Sequence, residues 1–217
     1  MTVNRGVLVL SARRLFYIAR NAAEQSKDFD NNCVIAVVFA AASIEALMNE
    51  VTEWVDFEIP EEEDAGDRII PEVKAFSGVI KEAEQCRVPL GVKFLLASAL
   101  LTGHSYEKGS EPFQDFAVLM RVRDAVMHLK PSVMMYDGET SWMEAGKVLR
   151  ELEQRKLVTR REPRVAADLL TQISNPAVAR WAVGAAADMA QSFVRLFPGH
   201  IGESLLSDYG DDFKGPQ

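Results

Sequence analysis

The chain of 217 residues is 48% hydrophobic and 26% charged, ordinary proportions for a protein that buries a core, and they exclude wholesale disorder. Its formal net charge of −8 argues against broad non-specific binding to nucleic acid, though not against RNA as a partner. That charge is uneven: seven acids and no base lie between Asp56 and Asp67, and seven bases face three acids between Lys147 and Arg164.

In chain order, the opening MTVNRGVLVLSARRLF has an apolar run of only about four residues before Ser11, too short for a signal peptide. Ser11 to Gln25 carries Leu15, Ile18, Ala19 and Ala22 as a helical stripe. Val34 to Trp54 repeats Val37, Ala41, Ile44, Met48 and Val51 at spacings of three and four, which predicts a long buried helix. Its most apolar part, Cys33 to Ile44, is closed by Glu45, whereas a membrane span needs roughly 20 apolar residues. Cys33 and Cys86 form no ligand pair or disulfide framework, which suits a reducing compartment. A cytoplasmic protein without a membrane segment is the expectation.

Residues 56 to 70 read as an exposed acidic loop. Leu90 to Leu101 predicts a third helix and Pro112 to Leu129 a fourth, with Phe113, Phe116, Leu119 or Met120, and Val126 inward. Gly146 to Leu157 is amphipathic and charged, and Arg164 to Ile173 is a shorter piece. Asn175-Pro176 places an N-cap before a proline at the first helical position, opening a final helix that Pro198-Gly199 stops near Phe197. Val7 to Leu10 and Val158 to Arg160 could be short extended pieces, and Ser207 to Gln217 reads as a loose, flexible tail. The expected fold class is all-α, an up-and-down helical bundle forming one domain over residues 1–206.

Several chemistries have no sequence support. No two glycines are one residue apart, so no GxGxxG loop exists, and GxxxxGK[ST], HExxH and GxSxG are absent. His104, His128 and His200 are scattered without cysteine or carboxylate partners at metal-ligand spacing, so neither a metal nor a cofactor is expected.

The fourth helix ends RVRDAVMHLKP, residues 121–131. Here the chain resembles the HEPN superfamily, whose catalytic members carry an arginine, a polar residue after it, and a histidine following a gap of four to six residues. Arg123, Asp124 and His128 fit that pattern. Arg195 and His200 share the spacing, but Leu196 fills the polar position and Pro198-Gly199 interrupts the helix. Arg121 and His128 have a permitted six-residue gap, but Val122 fills the polar position. The resemblance extends over residues 34–131, through Ser43-Ile44-Glu45-Ala46-Leu47, Val92-Lys93-Phe94-Leu95-Leu96 and the closing Lys130-Pro131. Residues 132–175 would then be a helical insertion before the last helix, residues 176–197.

The resemblance implies metal-independent RNA cleavage leaving a 2′,3′-cyclic phosphate. His128 would act as general base or acid, Arg123 would stabilise the phosphorane-like transition state, and Asp124 would orient one of them. Arg121 and Lys130 would hold the RNA substrate. It also implies a homodimer, with motifs face to face, and a toxin–antitoxin or phage-defence role beside a nucleotidyltransferase-like antitoxin. On a straight helix Arg123 and His128 point roughly 140° apart, so either the helix ends near His128 or a second protomer completes the pair. Glu45 could reach Arg123 as a supporting anion, or simply begin the exposed half of its helix. A histidine in a last helical turn is also favoured by the macrodipole alone, and Arg123 with Asp124 also suits a solvated pair. A non-catalytic binding module for RNA, a nucleotide or a protein therefore stays open beside the enzyme.

Overall fold

The computed structural model describes residues 11–58, 71–129, 145–158, 169–210 and 212–215. Among them every regular element is helical and no strand occurs, so the fold class is all-α. The helices are α1 (Ala12–Gln25), α2 (Asn31–Glu58), α3 (Pro71–Gln85), α4 (Leu90–Thr102), α5 (Phe113–Met127), α6 (Ala145–Gln154), α7 (Leu169–Ile173), α8 (Pro176–Val194) and α9 (Gly199–Leu205). A π-helical turn, Leu206–Gly210, follows.

The central element is α2, packed chiefly on α1 and α8. Ala36, Ala40 and Ala41 let neighbouring backbones come close, and Val37, Ile44, Leu47, Met48 and Val51 fill the space between, all fully buried. The facing surface of α8 is similarly small, with Ala179, Ala182, Ala186 and Ala190 buried. Asn175 opens α8 as expected, its side chain accepting a 3.1 Å hydrogen bond from the Val178 N–H with Pro176 next in line. By length and composition alone Asn31–Val55 could cross a membrane, but more than half of its apolar window is buried inside this bundle.

An aromatic cluster joins the other helices to this centre. Phe94 of α4 meets Phe116 of α5 edge-on at 5.0 Å and Phe193 of α8 at 5.1 Å, while Phe76 of α3 meets Phe197 at 5.1 Å. Such edge-to-face pairs favour a fixed arrangement beyond the area they bury.

Five expectations need correction. Helix α3 is an additional element, burying Val73, Phe76, Ile80 and Ala83. Helix α2 runs on to Glu58, so the acidic stretch begins inside a helix; residues 59–70 lie outside the described part. Helix α8 ends at Val194 and is not the last, because the chain re-forms α9 after Gly199. Gly199 adopts φ 57, and a Cβ on Gly202 would lie 2.2 Å from the Phe197 carbonyl oxygen, so this compact reversal requires glycine. Of the expected loose tail 207–217, the described residues 207–210 and 212–215 are anchored: Tyr209 and Phe213 are 1% exposed, and Phe213 packs on Phe16 at 4.5 Å. Finally, Val158 lies in no strand; residues 7–10, and residues 132–144 and 159–168 of the expected insertion, are outside the described part.

One buried carboxylate fastens both ends of the described chain. Glu50 of α2 accepts hydrogen bonds from the backbone N–H groups of Ser11 and Ala12, the latter at 2.8 Å, and from the Tyr209 hydroxyl at 3.2 Å. Ser11 supplies no side-chain cap to α1, so Glu50 does this from another helix, with the favourable sign for a helix N-terminus.

Candidate functional site

Val118, Leu119 and Val122 turn into the core, which sends the arginines of α5 to its two flanks. Arg121 faces α6, where its Nε donates to Glu151 Oε2 at 2.9 Å. Arg123 faces α2: its Nη2 lies 3.6 Å from Glu45 Oε2 and its Nε 3.3 Å from Asp124 Oδ1. Neither is a well-formed hydrogen bond, and Arg123 Nε is buried without a hydrogen-bond partner. Asp124 itself is exposed.

The helix ends just before His128. Met127 is its last residue, and His128 leaves helical geometry at φ −118°, ψ 37°, its N–H still bonded to the Asp124 carbonyl at 3.0 Å. The His128 ring is exposed and makes no hydrogen bond or ion pair with described residues, between the exposed side chains of Met127 and Leu129. The chain therefore brings Arg123, Asp124 and Glu45 together, diverts Arg121 to α6, and leaves His128 apart at the helix end. Lys130 lies outside the described residues.

Arg123 and Asp124 border a cleft of about 370 Å³ between α2, α5 and the turn that joins α3 to α4. Its other charged residues are Glu45, Glu84, Arg87 and Lys93. Arg87 stands at φ 55 just beyond α3, a left-handed position that glycine fills at lower cost; Lys156 does the same after α6. Lys93 is 5% exposed, and its Nζ is paired with Glu84. Burial pulls the Lys93 ammonium below its ordinary value, with the Glu45 charge acting against that fall. Glu45 is visible in the sequence as a possible anion for Arg123, whereas Lys93, Glu84 and Arg87 are not. The signal was a charge inside the apolar run Val92 to Leu96, which the packing turns inward.

A second polar cluster fastens α6 and α8 to α5. Asp115 accepts from Arg155 Nε at 2.6 Å and from the Trp181 indole N–H at 3.0 Å. Burial and the Asp115 charge raise the carboxyl groups of Glu111 and Asp188 above their ordinary values. Among the described residues no group of three or more His, Cys, Asp or Glu could hold a metal ion. No family model, curated protein or solved structure matches the chain.

Proposed function

We propose that the protein is a metal-independent endoribonuclease of HEPN type that acts as a homodimer. The observation that supports it best is the split state of the motif within one chain. Arg123 is held over a cleft with an unsatisfied Nε, while His128 waits exposed and unengaged at the end of the same helix. A second protomer meeting this surface would bring the His128 of one chain to the Arg123 of the other, with Met127 and Leu129 as apolar flanks.

In such a composite site His128 takes the proton of a ribose 2′-hydroxyl, and the resulting oxygen attacks the adjacent phosphorus. Arg123 stabilises the added negative charge, and its neighbours Asp124 and Glu45 hold the guanidinium in place. The 5′-oxygen leaves and a 2′,3′-cyclic phosphate remains. Lys130 suits RNA backbone contact; Arg121, already committed to Glu151, suits it less. No cofactor enters this scheme. A cytoplasmic toxin or phage-defence nuclease, restrained by a nucleotidyltransferase-like antitoxin, is the setting proposed with it.

The test is cleavage of RNA by purified protein in EDTA. Arg123→Ala and His128→Ala should each lower the rate by about 100-fold or more without changing helicity. Mixing the two variants should restore about a quarter of wild-type activity, since half of the dimers then carry one complete site of two. Cleavage that needs a divalent metal, or survives both substitutions, defeats the proposal. A second reading, a non-catalytic module that binds RNA, a nucleotide or a protein, is favoured by the separation of Arg123 from His128 in the single chain. Binding without cleavage by the wild type would establish it.

A further inference from the structure

The cleft beside Arg123 holds more fixed positive charge than transition-state stabilisation by one arginine requires. Lys93 reaches it from α4 with a side chain only 7% exposed, and the Arg123 side chain is 28% exposed. Their acidic partners are otherwise placed: the side chains of Glu84, Glu45 and Asp124 are 59%, 51% and 58% exposed. The cations therefore form the floor and the carboxylates the rim. Glu45 interacts with both cations, by its contact with Arg123 and by its field at Lys93.

A buried ammonium is a poor device for stability. Its desolvation offsets much of the attraction to its partner, and an apolar chain of similar length usually serves as well. Free carboxylates on the rim would lose little by turning to water. The buried Arg123 Nε, 3.3 Å from Asp124 Oδ1 but without a well-formed hydrogen bond, adds a second unmet demand in the same place. All three features are accounted for if an external anion enters between the cations and displaces the rim carboxylates.

We propose that Lys93 and Arg123 form a two-cation seat for a phosphate group, occupied in the free protein by the carboxylates of Glu45 and Glu84. Arg87 stands at the mouth of the seat. Assigning the phosphate to an RNA backbone rests on the ribonuclease reading; the seat itself rests only on the cleft. Lys93 is then a binding and positioning residue, distinct from the proton-transfer role of His128. Its ammonium donates to non-bridging phosphate oxygens, and the rim carboxylates return when product leaves.

The experiment uses a fluorescent single-stranded oligodeoxynucleotide, which lacks the 2′-hydroxyl and is not cleaved, and inorganic phosphate as a competitor. Lys93→Met should weaken oligonucleotide binding by about tenfold or more, and Lys93→Arg should recover most of it. Glu84→Gln and Glu45→Gln, at exposed positions that threaten folding least, should each strengthen binding several-fold. A merely structural ion pair would give no such gain. Affinity within twofold of wild type in Lys93→Met, or weakened binding in both Glu→Gln variants, overturns the seat. Phosphate binding that depends on Lys93 without oligonucleotide binding keeps the seat and removes its assignment to RNA. Oligonucleotide binding that depends on Lys93 in a protein that cleaves no RNA keeps the seat and defeats only the nuclease.

Discussion

Two carboxylates leave α2 five residues apart, pointing roughly 140° away from each other, and meet different surroundings. Glu50 is 8% exposed, and two backbone N–H groups and a tyrosine hydroxyl use its oxygens fully. Glu45 is half exposed, its nearest cation lies 3.6 Å away, and that cation keeps a buried N–H without a hydrogen bond. Both arrangements use the same chemistry. Only the saturated one acts as a fastening, because every group it holds would be orphaned by its loss; the unsaturated one can exchange partners at little cost. Asp115 and Asp188 repeat the contrast on a smaller scale. Asp115 is saturated by Arg155 and Trp181, while Asp188 stands near it with a raised carboxyl.

The strongest test of that contrast sets Glu50→Ala against Arg123→Met. Loss of Glu50 strands two N–H donors and the Tyr209 hydroxyl, and should cost about 3 kcal/mol, roughly 6–12 °C in melting temperature. Arg123→Met should leave stability nearly unchanged, within about 0.5 kcal/mol, while removing the proposed RNA cleavage. Equal losses of stability would erase the distinction. Tyr209→Phe removes one of the three donors and should cost about 1 kcal/mol by denaturant unfolding. The smallest effect concerns pH. Burial and the Asp115 charge raise the Asp188 carboxyl, so the folded state holds that proton more tightly than the unfolded chain. Its ionisation therefore subtracts from stability as pH rises through the window above the ordinary value of 3.8. Asp188→Asn should raise the melting temperature at pH 7 by less than about 2 °C, and at pH 3 not at all. The opposite order would show that Asp188 has a cationic partner.

What could be read from the sequence followed the range of the interaction. The stripes of α1, α2, α4 and α5, and the Asn175-Pro176 start of α8, depend on residues three or four apart, and they were legible. Helix α3 carries the same spacing in Val73, Phe76 and Ile80, but Ser77 dilutes its inner face and Gly78 weakens the helix signal on its outer one. The places of Tyr209 and Phe213 depend on Glu50 and Phe16, far away in the chain, so polar neighbours such as Asp208 and Asp212 made the segment read as solvated. Near Arg123, the contact with Glu45 was one of two readings open in the sequence, and the exposure of His128 fits the angular separation along the helix. Lys93 was not legible, since a lone charge on an apolar helix reads as a surface residue until the neighbouring helices close over it. Nor was the diversion of Arg121, which needs α6 docked alongside α5.

The Glu50 fastening also bears on the order of folding. Its hydroxyl donor is 159 residues away along the chain and its amide donors 38 and 39 residues away. Closing the longer loop costs more chain entropy than pairing neighbouring helices, so the expected order is the α1–α2 contact first and the carboxy-terminal aromatics late. The check is Tyr209→Phe, which should speed unfolding more than it slows folding. Interactions made after the rate-limiting barrier govern how fast a protein comes apart more than how fast it forms. Tyr209 and its carboxylate thus act as a latch on the lifetime of the native state.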